Sequence, residues 1–320
     1  MNKPRKYDIF LLLFGLVIFA VLQVMMNSGY IGPYWELNLI SVCIWIIMAV
    51  SLNLINGFTG QFSIGHAGFM AVGAYVSAIM TVNFDITFIL AIIGGFISAA
   101  FLGFLIGIPT LRLSGDYLAI ATLGLGEIIR VCILNISYVG GASGFMNIPR
   151  LTSFPWAFVM MLFTVFVIKN IANSAMGRAC VAIRENEIAA ETMGIDTTKY
   201  KVLAFTVGAG FAGLGGALFS HCYYIAHPNS FTFIKSFDIL TMVVLGGLGS
   251  LSGSIIGAVL LTIITALLNE VPEWRMIIYS VTLIVLMLFR PQGLLGNKEL
   301  SVKMLSFFKG GDKRNAASNR

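Results

Sequence analysis

The sequence predicts an all-α fold, a polytopic membrane helical bundle of about ten spans. Two observations predict it: 58% of the 320 residues are hydrophobic, and only 11% are Asp, Glu, Lys or Arg. A soluble domain runs at roughly 45–50% apolar and 25% charged, so most of this surface faces lipid. A third observation is the 34 glycines, many of them inside apolar runs, where small residues let helix backbones approach closely. The composition excludes a soluble enzyme, a nucleic-acid-binding domain and a disordered chain. The formal charge of +6 then reads as basic residues held on one membrane face. Cys43, Cys132, Cys180 and Cys222 stand singly, without the spacing of a zinc site or a disulfide framework, so no metal is expected.

The apolar run Ile9–Met26, behind Lys3, Arg5 and Lys6, reads as a signal peptide or a first span. It exceeds the roughly 7–15 residues of a signal core and no A-x-A-like site follows, which favours a span. Further runs are Leu39–Ile55, Ala67–Val82, Ile86–Ile108, Tyr117–Leu134, Phe154–Ile168, Val202–Ser220, Asp238–Leu248, Gly253–Leu268 and Met276–Phe289. With the N-terminus inside, alternation puts Lys3, Arg5, Lys6, Arg112, Lys169, Arg178, Arg184, Lys199, Lys201 and Arg290 on the cytoplasmic side. Lys298, Lys303, Lys309, Lys313, Arg314 and Arg320 join them, while Arg130 falls in a span and Arg150, Lys235 and Arg275 fall outside. That asymmetry predicts both termini in the cytoplasm. We expect a transmembrane domain over residues 1–300 and a polar basic tail over 301–320.

Residues 173–201 break the apolar pattern with Glu185, Glu187, Glu191 and Asp196 among four bases. Val181, Ile188 and Ala189 at helical spacing suggest one or two amphipathic helices at the cytoplasmic surface, the alternative being a solvated loop. Gly194 followed by Asp196 reads as a helix stop and then an N-cap.

Displaced by 189 residues, Gly57, Gly60, Ser63 and Gly68 match Gly246, Gly249, Ser252 and Gly257. Transporters are often duplicated, with broken helices at equivalent places, although glycine-rich stretches also match by chance. Asn53, Asn56, Gln61, Ser63 and His66, with Gly249 and Ser252 of the second copy, are the candidate pathway residues. Irregular backbone survives at membrane depth only where protein or a water-filled cavity satisfies it. The other reading is a cytoplasmic turn whose His66 caps the next helix. Glu127 and Arg130, at i, i+3 in a span, can pair, either locking helices together or touching substrate.

The ordered set NLINGFTGQFSIGHAGFMAVGAY, LRLSGDYLAIATLGLGEIIR, GGASGF, GRACVAIRENEIAAETMGIDTTKYKVLAFTVGAGFAGLGGAL, VVLGGLGSLSGSIIGA and RPQGLLG resembles the membrane permease of branched-chain amino-acid ABC importers, the high-affinity leucine/isoleucine/valine type. The resemblance covers most of residues 39–296. It implies a bacterial or archaeal plasma membrane and a second, homologous permease subunit. It also implies two cytoplasmic ABC ATPases and an extracytoplasmic substrate-binding protein. Residues 187–194 resemble the family's E-A-A-x3-G motif with one residue inserted after the first Glu. The resemblance therefore makes residues 173–201 the cytoplasmic coupling helix region, with Arg178, Arg184, Glu185, Glu187, Ala190, Glu191 and Gly194 as its contact residues. Val181, Ile183 and Ile188 are expected to form its apolar ridge.

No G-x4-G-K-[ST] loop is present in the sequence, so this chain is expected to carry no cofactor and ATP to be used by the partner subunits. No nucleophile and base pair or metal constellation can be assembled, so an enzyme is not expected. An ion-coupled secondary amino-acid transporter is the rival, and it would place unpaired acids in mid-span. Family members also move urea, short amides and other amino acids.

Overall fold

The computed structural model describes residues 15–267 except 16, 18, 27, 31, 112 and 114, together with 281, 284, 288, 293 and 294. Most of the run Met276–Phe289, the tail 301–320 and part of Ile9–Met26 lie outside the described residues. Between Pro33 and Leu267 the described residues form ten α-helices in order, α1 Pro33–Asn53, α2 His66–Val82, α3 Phe88–Thr110, α4 Asp116–Asn135, α5 Phe154–Asn173, α6 Ala175–Glu185, α7 Glu187–Thr192, α8 Thr197–Tyr223, α9 Phe233–Gly246 and α10 Leu251–Leu267. A π-helical turn, Leu54–Phe58, prolongs α1. Among the described residues the β pairing is a single isolated bridge between Phe145 and Ala226.

Among the described residues, five helices are long and apolar enough to cross a membrane. They are Pro33–Phe58, Phe88–Thr110, Asp116–Asn135, Phe154–Asn173 and Thr197–Tyr223, and His66–Val82 and Leu251–Leu267 are shorter apolar helices. Two of the five form the centre, since the apolar windows of α1 and α8 are each 78% buried, against 17% for α4. A central helix is apolar all round and shows no one-sided stripe. The glycines of α8 make this packing: a Cβ on Gly213 would lie 2.5 Å from Gly95 O, and one on Gly216 1.9 Å from Met70 O. Gly215 meets Met48 of α1 and Gly208 meets Ile55 of the π turn. α8 thereby contacts α1, α2 and α3 at backbone distance.

The segment between α5 and α8 is helical twice. Ser174 caps α6 by accepting from Gly177 N (3.3 Å), and Asn186 caps α7 by accepting from Ala189 N (3.0 Å). Gly194, at φ +83°, turns the chain out of α7, and Asp196 caps α8 through Lys199 N (3.0 Å). The expected run Asp238–Leu248 is displaced: its helix starts at Phe233 and stops at Gly246. The following Gly247 has φ +114°, a conformation glycine alone adopts readily.

Candidate functional site

Both copies of the repeated glycine pattern have a helix, a turn and a second helix, the turn being longer in the first copy. α1 and α9 each run into a turn, which passes through a left-handed glycine, Gly60 (φ +70°) in the first copy and Gly249 (φ +83°) in the second. α2 and α10 then lead away. The two turns meet. Asn53 Oδ1 accepts from Gly249 N (2.8 Å) while Asn53 Nδ2 donates to Ser250 O (3.0 Å). A Cβ on Gly57 would lie 2.3 Å from Gly249 N, so the two backbones pack without an intervening side chain. Lys235, at the start of α9, lies against Trp45 midway along α1, and Gly249, past the end of α9, against Asn53 at the end of α1, so the two helices run the same way.

Arg184, at the end of α6, enters the junction. Its Nη1 donates to Gly57 O (2.9 Å), and the same nitrogen would lie 2.7 Å from a Cβ on Gly249. Glu185 Oε1 accepts from Nη2 (2.7 Å) and holds the guanidinium in place. Lys201, on the first turn of α8, pairs with Glu187 of α7. Each short helix is thus tied to the bundle by an ion-assisted contact.

Beyond the junction the chain is extended into α2. Asn56 closes the loop on Ser63, donating to its carbonyl and accepting from its N–H, both at 3.2 Å. His66 Nε2 meets Ser51 Oγ at 2.8 Å. Ser51 Oγ is also within hydrogen-bond distance of Met48 O (3.0 Å). His66 therefore does not cap α2. Ser236 does, accepting from Ala67 N at 3.0 Å. Gln61, Ser63 and His66 are buried, yet both polar side-chain atoms of Gln61, Ser63 Oγ and His66 Nδ1 have no hydrogen-bond partner among the described residues. Ser252 lies by the second turn with its hydroxyl 3.3 Å from that of Ser250.

Glu127 does two things at once. Oε2 accepts from Arg130 Nε (2.7 Å), and Oε1 accepts from Phe233 N (2.9 Å), the first residue of α9. A carboxylate from α4 thus caps α9, whose own Thr232 makes no side-chain cap. A second pair follows on α9, Lys235 with Asp238 at 3.3 Å. The Lys235 ammonium lies 5.2 Å above the ring of Trp45, midway along α1. The reading of Lys235 as an outer-loop residue is therefore corrected: it sits on a helix beside the middle of a span. Its i, i+3 spacing to Asp238 is the signal that the sequence reading passed over. Arg150, at the end of the bundle opposite α6, is 3.7 Å from Glu36.

The remaining residues of the polar segment divide by side. Ala190 and Ile183 are buried, and Arg178 Nη1 donates to Asn173 O (3.1 Å) at the end of α5. Ile188 and Met193 are 76% and 82% exposed, and Glu191 and Gly194 are exposed with them. The expected ridge is therefore split, because Ile183 points into the bundle and Ile188 away from it. Burial pushes the Cys180 thiol up to about 11.

A bundle of membrane-length helices, with two helix-turn-helix copies joined at glycine turns and a capped polar segment tied to them, is the build of a transport permease. The profile of the branched-chain amino acid transport system permease component matches residues 36–287, and the chain belongs to that family. It is 36% identical over 299 residues to the high-affinity branched-chain amino acid transport system permease protein LivM of Salmonella typhimurium, covering 82% of this chain and 70% of that one. LivM of Escherichia coli is 36% identical over 288 residues, with 79% and 68% covered. The permease protein LivH of Salmonella typhimurium is 25% identical over 314 residues, with 87% and 96% covered. No solved structure matches the chain.

Proposed function

We propose that this chain is the membrane permease subunit of an ATP-binding-cassette importer that brings branched-chain amino acids into the cytoplasm. Its membership of the permease family, over residues 36–287, is the observation that carries the reading. In this reading the chain has about ten spans in a plasma membrane, with both termini and residues 173–201 in the cytoplasm. A second homologous permease, two cytoplasmic ATPases and an extracytoplasmic binding protein complete the importer, and ATP is used by the ATPases alone. α7 docks in an ATPase through Ile188, Glu191, Met193 and the Gly194 turn, which are the exposed groups.

The mechanism follows from the two ties. Closure of the ATPases on ATP swings α6 and α7 as a unit. Arg184 carries that motion to Gly57 and Gly249, and Glu187 carries it to α8 through Lys201. The junction of the two turns opens or closes the path, which Asn53, Asn56, Gln61, Ser63, His66, Gly249 and Ser252 line. The unpartnered polar atoms of Gln61, Ser63 and His66 favour this, because a buried polar group without a partner costs about 1–3 kcal/mol unless water or solute reaches it. An ion-coupled carrier fits less well, since Glu127 is engaged at both oxygens.

The test is charge reversal at Glu191 (Glu191→Lys) in the intact complex. Loss of the ATPases on purification, together with loss of leucine uptake and an unchanged elution profile of the permease, is expected. Normal uptake without bound ATPase contradicts the reading.

A further inference from the structure

The exposed apolar surface of the bundle is of two kinds. α3 shows Ile93, Ile97, Phe101 and Leu105 and has no charged residue between Phe88 and Thr110, a surface that hydrocarbon covers. α4 and α9 are different. Tyr117, Ile120, Ile128 and Val131 are exposed on α4, and Ile234 and Phe237 on α9. Among them lie two ion pairs at mid-span. The Glu127 and Arg130 side chains are 25% and 20% exposed, and those of Lys235 and Asp238 are 31% and 28% exposed.

Lipid is a poor cover for part-exposed charge at that depth. Ionisable groups in spans face protein or a water-lined cavity. α4 is also the least buried of the five long helices, and a Cβ at its Gly124 would meet nothing within 4 Å, so another helix can approach its backbone there.

We infer that α4 and the first two turns of α9 pack against a second permease chain related to this one, with the four charges in the seam between them. The inference rests on the importer reading above. The choice of occupant comes from the relatives: Salmonella typhimurium has two permease proteins named for a high-affinity branched-chain system, LivM and LivH, and this chain is similar to both. Chains of common build pair about an approximate twofold axis, each giving the same face. The face given is the charged one, because α3 can be left to lipid and α4 cannot.

The test is photo-crosslinking in the purified complex of both permeases and the ATPases. p-Benzoylphenylalanine replaces Ile120, Ile128 or Phe237 at the proposed seam, and Phe101 or Phe163 on α3 and α5 as the lipid-facing set. All five residues are exposed, so the fold tolerates the larger ring. Adducts with the combined mass of the two permeases are expected from the first three sites and not from the last two. Adducts from Phe101 or Phe163 alone, or none from α4 and α9 while the second permease co-purifies, overturn the seam. Absence of any second permease from the preparation overturns the importer reading and the seam with it. As a second variant, Gly124→Trp is expected to lower recovery of the second permease at least tenfold with the chain still monodisperse. Unchanged recovery contradicts the seam.

Discussion

Arg184 has a role that its place in the sequence did not suggest. Among the charges of residues 173–201 it reads as a surface residue setting the register of a docked partner. In the structure it turns inward, because α6 ends against the Gly57 turn and the guanidinium reaches the Gly57 carbonyl there. A hydrogen bond from a charged donor is worth about 1.5–3 kcal/mol. Arg184→Met is expected to lower uptake at least tenfold while ATPase subunits still co-purify and hydrolyse ATP, whereas loss of the ATPases would make Arg184 a docking residue. Glu127 makes the opposite case. Its pairing with Arg130 was legible from the spacing, but its bond to Phe233 N, 106 residues away, depends on tertiary contact that no local pattern records. Glu127→Gln or Arg130→Met alone should reduce the yield of folded permease more than both together, because a lone charge in a span costs more than none. A double variant that assembles normally but transports nothing would place the pair on the path. Cys180 offers a simpler check: buried and with its thiol raised to about 11, it should resist N-ethylmaleimide at pH 7.5, since the thiolate is the reactive form.

At the scale of elements, the caps and stops of the polar segment were readable. Gly194 and Asp196 carry local chemistry, a left-handed turn and a side-chain acceptor, and both act as their residue types dictate. The faces of α6 and α7 were not readable, since Ile183 and Ile188 are equally apolar and only the packing decides which is buried. The start of α9 was missed for a related reason. Lys235 and Asp238 depress the apolar signal of Phe233–Gly246, although paired at i, i+3 they belong in the helix. The glycine content of α8 was read correctly as close packing, but not which neighbour each glycine admits. Gly73 of α2 is one instance, with a Cβ there lying 2.0 Å from Gly213 O. Gly73→Val should cost about 1–3 kcal/mol by overpacking, measured as a lower unfolding midpoint in detergent. An unchanged midpoint would show that α2 and α8 part easily.

Across the whole molecule, besides the two pairs at mid-span, an ion pair marks each end of α8. α8, with 27 residues, spans about 40 Å, with Lys201 and Glu187 at its start and Arg150 with Glu36 near its finish. That is enough to cross a bilayer. A cysteine at Asn173, in a chain lacking Cys132, is expected to resist an impermeant maleimide in intact cells, and one at Asn229 to react. The reverse pattern would invert the topology. The repeat was legible in the sequence, but the contact of its two turns at Gly57 and Gly249, so far apart in sequence, was not. The central claim is that this permease moves amino acids on energy supplied from outside its own chain. Its most direct test is accumulation of radiolabelled leucine in vesicles reconstituted with both permeases and the ATPases, with the binding protein added on the outer face and ATP inside. Uptake that requires ATP and the binding protein and is indifferent to sodium or proton gradients is the predicted result, and accumulation driven by an ion gradient without ATP would contradict it.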